Sequence, residues 1–295
     1  MANQRKVIVT CALTGAFQGK AQCPGLPEQP DEIAQSAYEA YNEGASIVHI
    51  HARDKDGINV TDPHIFSEIG SKIRAKCNLI TQYSTAPATA RRTMIDEEYT
   101  RSSLEMFDAE FLPEMASLDV ALMHIVWGGN RIYYGWTREI LQEAAKKMRD
   151  LKIRPEIEIF SMTNLEDVDD YLLEYLGTPL SYTLVMGMSI TQGAMKYSPD
   201  NVYDTWKRLP KGADFSVMHV GAREMEGVTM GLILGGGVRV GLEDNIWYAR
   251  GEKAKSNAQL VARAVRVIRE LGYEVATPDE AREMLGIPPL SVSGR

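Results

Sequence analysis

The chain has 295 residues, 44% hydrophobic and 24% charged, with no low-complexity run, which excludes a disordered or collagen-like protein and leaves enough apolar residues for a sizeable core. Forty acidic against 32 basic residues give a formal charge of −8, which argues against a nucleic-acid or anionic-membrane surface and means that an anionic ligand needs a local basic pocket. Three widely spaced cysteines, Cys11, Cys23 and Cys77, suit free thiols rather than a disulfide framework or a Cys-x-x-Cys metal site.

The first element is a strand, KVIVTCALT (6–14), whose apolar run is too short and too mixed for a signal peptide, so a cytosolic protein is expected. A Gly/Pro-rich loop follows, then a helix, PDEIAQSAYEAYNEG (30–44), that opens on Pro30 and Asp31 and closes on Gly44. Strand SIVHIHA (46–52) precedes a helix over 62–77, and strand NLITQYST (78–85) precedes a charged helix near 96–108. LDVALMHIV (118–126) reads as the fourth strand, followed by a helix over 136–151, then EIEIFS (156–161) and a helix over 165–177. Strand YTLVMGMS (182–189) and helix 198–209 come next, then FSVMHVG (215–221), a helix over 223–236, VRVGLED (238–244) and a long helix around 255–271. The tail after 277 reads as a short appended helix ended by Pro288-Pro289. No stretch reaches the roughly 18 to 20 apolar residues of a membrane span.

Eight strand–helix alternations of about 37 residues each point to a (β/α)8 TIM barrel with a short C-terminal helical extension, a single catalytic domain over 1–295. The competing open doubly wound sheet is weakened because Gly15, Gly19 and Gly25 do not form a G-x-G-x-x-G fingerprint after the first strand.

His49 and His51 form His-x-His in the second strand, so period-2 geometry sends both imidazoles to one face, near the carboxyl end where barrel enzymes gather their chemistry. The pair suits either the start of a zinc site or two hydrogen-bonded core histidines. In GGGVRVGLEDN (235–245), Arg239, Gly241 and Glu243 share a face, and barrel closure sets this last strand beside the first two. Glu243 can then complete a His2Glu set, Gly241 leaves room for a ligand, and an inward Arg239 calls for an ion pair with Asp244 or an anion.

Together with VTCALTGA (9–16), GASIVHIHARDKDG (44–57), QYST (82–85) and PEMASLD (113–119), these residues resemble the β-keto acid cleavage enzymes over essentially the whole chain. The resemblance implies a zinc-dependent barrel that converts a β-keto acid and acetyl-CoA into acetoacetate and a new CoA thioester, commonly as a homotetramer. It implies His49, His51 and Glu243 as zinc ligands and Arg239 with Asp244 as the acid/base pair. Ser84 and Ser117 fall at substrate-contacting positions, Thr14, Phe17 and Thr85 are also expected around the substrate, and Asn130, after the fourth strand, suits either a substrate contact or loop packing. Zn²⁺ fits the chemistry, because it can chelate the carboxylate and ketone of a β-keto acid and stabilise the enolate released on cleavage.

Two departures from the family pattern carry expectations. Its Thr-Gly-Ala-Glu, whose carboxylate meets a substrate ammonium, reads Thr14-Gly15-Ala16-Phe17 here, so the keto acid is expected to lack a 5-amino cation. Its Ser-Thr-Gly-Gly loop reads Ser84-Thr85-Ala86-Pro87, which stiffens the loop. His124 and His219, placed on the fourth and seventh strands, suit structural roles as well as a pocket; His64 is expected at the surface, and Met186, Met188 and Met195 in the core. Arg91-Arg92 suits either CoA phosphates or a solvated helix start. A metal-dependent aldolase or hydrolase on the same barrel, or a non-catalytic barrel, stays open beside the main reading.

Overall fold

A computed structural model describes residues 5–86, 97–127, 130–177 and 180–290. Eight parallel strands close into a barrel: β1 Val9–Ala12, β2 Ile47–Ile50, β3 Ile80–Tyr83, β4 Met115–Asp119, β5 Arg154–Ile159, β6 Ser181–Met186, β7 Asp214–His219 and β8 Gly237–Val240. The expected TIM barrel is therefore present, with β8 hydrogen-bonded to β1 and β1 to β2. Alternation along each strand divides its side chains between two environments. On β2, Val48 and Ile50 join the large apolar cluster under the helices, while Ile47 and His49 face the barrel interior.

The surrounding helices are amphipathic and begin where the chain supplies a cap. Helix α1, Pro30–Asn42, buries Ile33, Ala34, Ala37 and Ala40 on one face. In α2, Pro63–Lys76, the Asp62 side chain accepts from the backbone N–H of His64. The expected helix near 96–108 is α3, Glu97–Ser102, continued by a tighter turn over Ser103–Asp108. After α4, Arg138–Asp150, the expected helix over 165–177 is a short α5, Thr163–Asp167, which widens into a π turn over Val168–Leu172. Helices α6, Pro199–Arg208, α7, Glu224–Ile233, and α8, Asn257–Glu270, complete the ring. Among the described residues no helix is long and apolar enough to cross a membrane.

The C-terminal extension has a definite place. Helix α9, Pro278–Leu285, is held by a Thr277/Glu280 capping box and lays Ala281 and Leu285 against Ile8, Ile47, Ile80 and Met115 at the amino-terminal end of the barrel. Arg282, 1% exposed, bonds Glu114 at 2.6 Å and the Asn78 carbonyl at 2.8 Å. The helix is thus the barrel's lower plug.

Residues 118–126 do not form one strand. Strand β4 ends at Asp119, and Leu122–Trp127 runs out as an antiparallel hairpin with Asn130–Gly135, joined on its other edge by Thr191–Gln192. An apolar run does not reveal a change of partner. The alternation inside it does, since Met123 and Ile125 pack on Phe160, Val185 and Met218 at the barrel mouth while Leu122 and Val126 are exposed. The hairpin covers one side of the mouth.

Candidate active site

Closure brings residues far apart in sequence onto three neighbouring strands. The register sets Ala12 of β1 beside His49 of β2 and Thr10 beside Arg239 of β8. His49 Nε2 and His51 Nε2 lie 3.4 and 3.5 Å from the same oxygen, Glu243 Oε1, and the ligating atoms of the three residues all lie within 4.8 Å of one another. Burial pushes His49 down to about 3, so its ring is neutral and keeps a lone pair at physiological pH.

Two glycines permit this approach. Gly15 has φ +64°, and a Cβ there would sit 2.7 Å from Glu243 Cγ. Gly241 leaves room for backbone rather than for a ligand, contrary to the sequence expectation: a Cβ would lie 2.0 Å from the Ala12 carbonyl oxygen. The chain then turns tightly, with the N–H groups of Asp244 and Asn245 both donating to the Gly241 carbonyl at 3.1 and 2.9 Å. This turn carries Glu243 and Asp244 into the barrel mouth.

Arg239 is 2% exposed and is bonded by three carboxylates. Its Nε and one terminal nitrogen donate to the two oxygens of Asp244 at 3.0 and 3.1 Å, and its terminal nitrogens also reach Glu158 and Glu243, both at 2.7 Å. The expected Asp244 pair is present, within a larger group that sequence reasoning missed. Burial lifts Asp244 to about 6 against the pull of Arg239. It lifts Glu158 well above the usual carboxylate range, with the neighbouring Asp119 adding to the effect, and takes Asp119 itself to about 6. Asp119 and Glu158 could have been suspected from Ser-Leu-Asp and Glu-Ile-Glu, where polar residues at i and i+2 share a face.

A cavity of about 120 Å³ lies over these groups. Its polar side is His49, His51, Ser84, Asp119, Glu158, Arg239, Glu243 and Asp244; its apolar side is Phe17, Phe160, Val185, Met188, Ile190, Met218 and Val220. Phe17 is carried on a loop that the buried Arg53 guanidinium fastens through the carbonyls of Thr14 and Gly15 at 3.1 and 2.7 Å. Ser84 is on the wall, and its Oγ accepts from the Ala86 N–H at 3.3 Å.

Other candidates lie elsewhere. Thr85 and Ser117 bond each other, the Thr85 hydroxyl donating to the Ser117 carbonyl at 2.8 Å, and tie the end of β3 to β4 beneath the wall. Thr14 is fully buried beside the Arg53 contact, outside the cavity lining. Asn130 begins the returning hairpin strand, and its side chain lies outside the described residues, as do Pro87, Arg91, Arg92, Gly128 and Gly129. His124 is on the hairpin rather than a barrel strand, stacked on Tyr133 at 4.4 Å. His219 faces helix α7 and meets Tyr197 at 5.0 Å. Met186 is buried in the core and Met195 packs against it, but Met188 lines the cavity.

A closed parallel barrel with imidazoles, carboxylates and a buried arginine at the carboxyl ends of its strands defines an enzyme of the TIM-barrel class. The family model for beta-keto acid cleavage enzymes matches residues 6–287, and the chain belongs to that family. It is 35% identical to the 3-keto-5-aminohexanoate cleavage enzyme of Fusobacterium nucleatum, over 96% of this chain and 98% of that one. It is 30% identical to the 3,5-dioxohexanoate:acetyl-CoA acetone transferase of Paraburkholderia graminis, over 97% of each. Among solved structures, apo ObcA superimposes with a TM-score of 0.74 at 20% identity, over 90% of this chain and 66% of that one, which shows a common fold.

Proposed function

We propose that this enzyme exchanges acyl groups between acetyl-CoA and a β-keto acid with an uncharged, apolar side chain, releasing acetoacetate and a new acyl-CoA. The observation that carries this reading is the two-sided cavity: ligating and acid/base groups face an apolar wall that begins at Phe17. A β-keto acid with an anionic head and an apolar tail has the same polarity.

His49, His51 and Glu243 would hold a zinc ion. Two imidazoles and a carboxylate are a recognised catalytic set, and Glu243 Oε2 is buried with no hydrogen-bond partner among the described residues. When bound, zinc supplies Lewis-acid polarisation of the keto acid's carboxylate and ketone oxygens. Asp244, gripped by Arg239 through both oxygens, takes the proton from C2 of the keto acid. The C2 electron pair attacks the thioester carbonyl, a carbon–carbon bond forms, and the CoA thiolate leaves. That thiolate then attacks the original ketone carbon, the old C2–C3 bond breaks, and C2 recovers the proton from Asp244. Ser84 Oγ, already accepting from Ala86, has its hydrogen free to donate to the developing oxyanion. Every atom of the substrates is found in the products, and neither water nor a cysteine nucleophile is used. Exposed Leu122, Val126 and Tyr133 on the hairpin support a homo-oligomer.

The test compares 3-oxohexanoate with 5-amino-3-oxohexanoate, with and without acetyl-CoA, on protein whose metal content is measured. Stoichiometric zinc, acetoacetate release that requires acetyl-CoA and preference for the uncharged acid are expected, and Phe17→Glu should move the preference toward the amine by about tenfold. Turnover without acetyl-CoA would instead favour the hydrolase or aldolase, and wild-type preference for the amine would sink the substrate assignment.

A further inference from the structure

The barrel interior beneath the cavity is polar where branched aliphatic side chains usually fill it. This layer meets the ligand set at one atom: His49 Nδ1 lies 2.8 Å from Gln82 Oε1. The other end of the same carboxamide, Gln82 Nε2, donates to Glu156 Oε2. The remaining Glu156 oxygen accepts from the Thr183 hydroxyl, itself 2.8 Å from Ser216 Oγ. Gln82, Glu156 and Thr183 are all buried, and none is used in the steps above. Gln82 is on β3 and Glu156 on β5 with β4 between them, so the contact crosses the interior instead of following the sheet.

We infer that Glu156 sets the tautomer of His49 by fixing the orientation of the Gln82 carboxamide. A carboxylate accepts and does not donate, so it takes the NH2 end of the amide and leaves the amide oxygen for His49. An amide oxygen also only accepts, so His49 Nδ1 must carry the hydrogen. The lone pair then sits on Nε2, the nitrogen that faces Glu243 at 3.4 Å. With no acceptor at position 156, the nearly symmetric amide is free to turn over, offer His49 an N–H, and place the ring hydrogen on Nε2 inside the ligand set. Thr183 holds Glu156 in place from the other side. Gln82 and Glu156 are therefore positioning residues that act through His49. His51 is oriented differently, since among the described residues no carboxamide bonds its ring. The consequence for metal affinity rests on the zinc assignment above, whereas the tautomer is a property of the metal-free protein.

The experiment has two readouts on the full chain. Nitrogen-15 NMR of histidine-labelled, metal-free protein should show the His49 hydrogen on Nδ1 in the wild type and a mixture, or Nε2–H, in Glu156→Leu, which leaves no acceptor for the Gln82 amide. Competition for Zn²⁺ against a chelator should show affinity lower by about 10- to 100-fold in Glu156→Leu, with the melting temperature measured alongside to confirm a folded protein. If that variant does not fold, Thr183→Val, which frees one side of Glu156, should shift both readouts in the same direction by a smaller factor. A wild-type Nε2–H tautomer, or variants with wild-type tautomer and affinity, would overturn the inference. A wild type that holds Nδ1–H but takes up no Zn²⁺ would support the relay and remove the zinc assignment.

Discussion

Arg239 sets the charge balance of the cavity at the scale of single residues. One buried guanidinium is surrounded by Glu158, Glu243 and Asp244 and bonds all three, but a single cation offsets only part of their desolvation, so Glu158 and Asp244 stay raised. Glu224 lies behind this group, and among the described residues no cation bonds it, Arg263 acting on it only through its charge. Its carboxylate accepts from Gly241 N and Asn245 Nδ2, on either side of Glu243-Asp244, and burial lifts it to about 8 despite the Asn245 bond. A carboxyl raised from 4.5 keeps its proton in the native state over that interval but loses it in the unfolded chain, so folding takes up a proton there and stability declines as pH rises through the window. One such group contributes at most about 1.4 kcal/mol per pH unit. Glu224→Gln is expected to lose this component, and urea midpoints at pH 6 and 8.5 should lie closer together than in the wild type. An unchanged difference would refute it. His-x-His was legible in the sequence because period-2 geometry is local. The Asp244 partner of Arg239 was legible for the same local reason, but Glu158 was not, because alternation in Glu-Ile-Glu shows which face Glu158 occupies without showing what stands opposite.

Among the elements, the barrel strands and the C-terminal helix were recognisable from alternation, caps and turn residues, yet their tasks were not. Helix α9 closes the end of the barrel opposite the cavity, with Leu285 1% exposed among Ile8, Ile47, Ile80 and Met115. Leu285→Ala should therefore lower stability by about 2–5 kcal/mol in urea unfolding while leaving KM for the keto acid unchanged. A loss well under about 1 kcal/mol would show that the helix is not a plug. Residues 122–126, expected to continue the fourth barrel strand, belong instead to the hairpin, because an apolar run has the same composition in either setting. Asp119, where β4 stops, the exposure of Leu122 and Val126, and the pairing of His124 with Tyr133 distinguish the two.

At the scale of the whole molecule, the formal charge of −8 opposes the approach of two anionic substrates. Raising ionic strength from about 0.01 to 0.15 M shortens the Debye length from about 30 to about 8 Å, which should increase kcat/KM for acetyl-CoA by a few-fold. A decrease would instead reveal a local cationic funnel strong enough to dominate the net field.

The amino-acid sequence by itself determined the barrel, the family and the residue types at its reactive end, since hydrophobic period, strand and helix punctuation and short motifs all depend on near neighbours. The tertiary structure decided which of those residues meet. Closure of β8 onto β1 brought Glu243 to His49 and His51, the cross-barrel space joined Gln82 to Glu156, and the bonding of Thr85 to Ser117 took both out of the cavity. Those contacts depend on strand register and on the close backbone approach at Gly15 and Gly241, quantities set by packing of the whole barrel and not by local sequence.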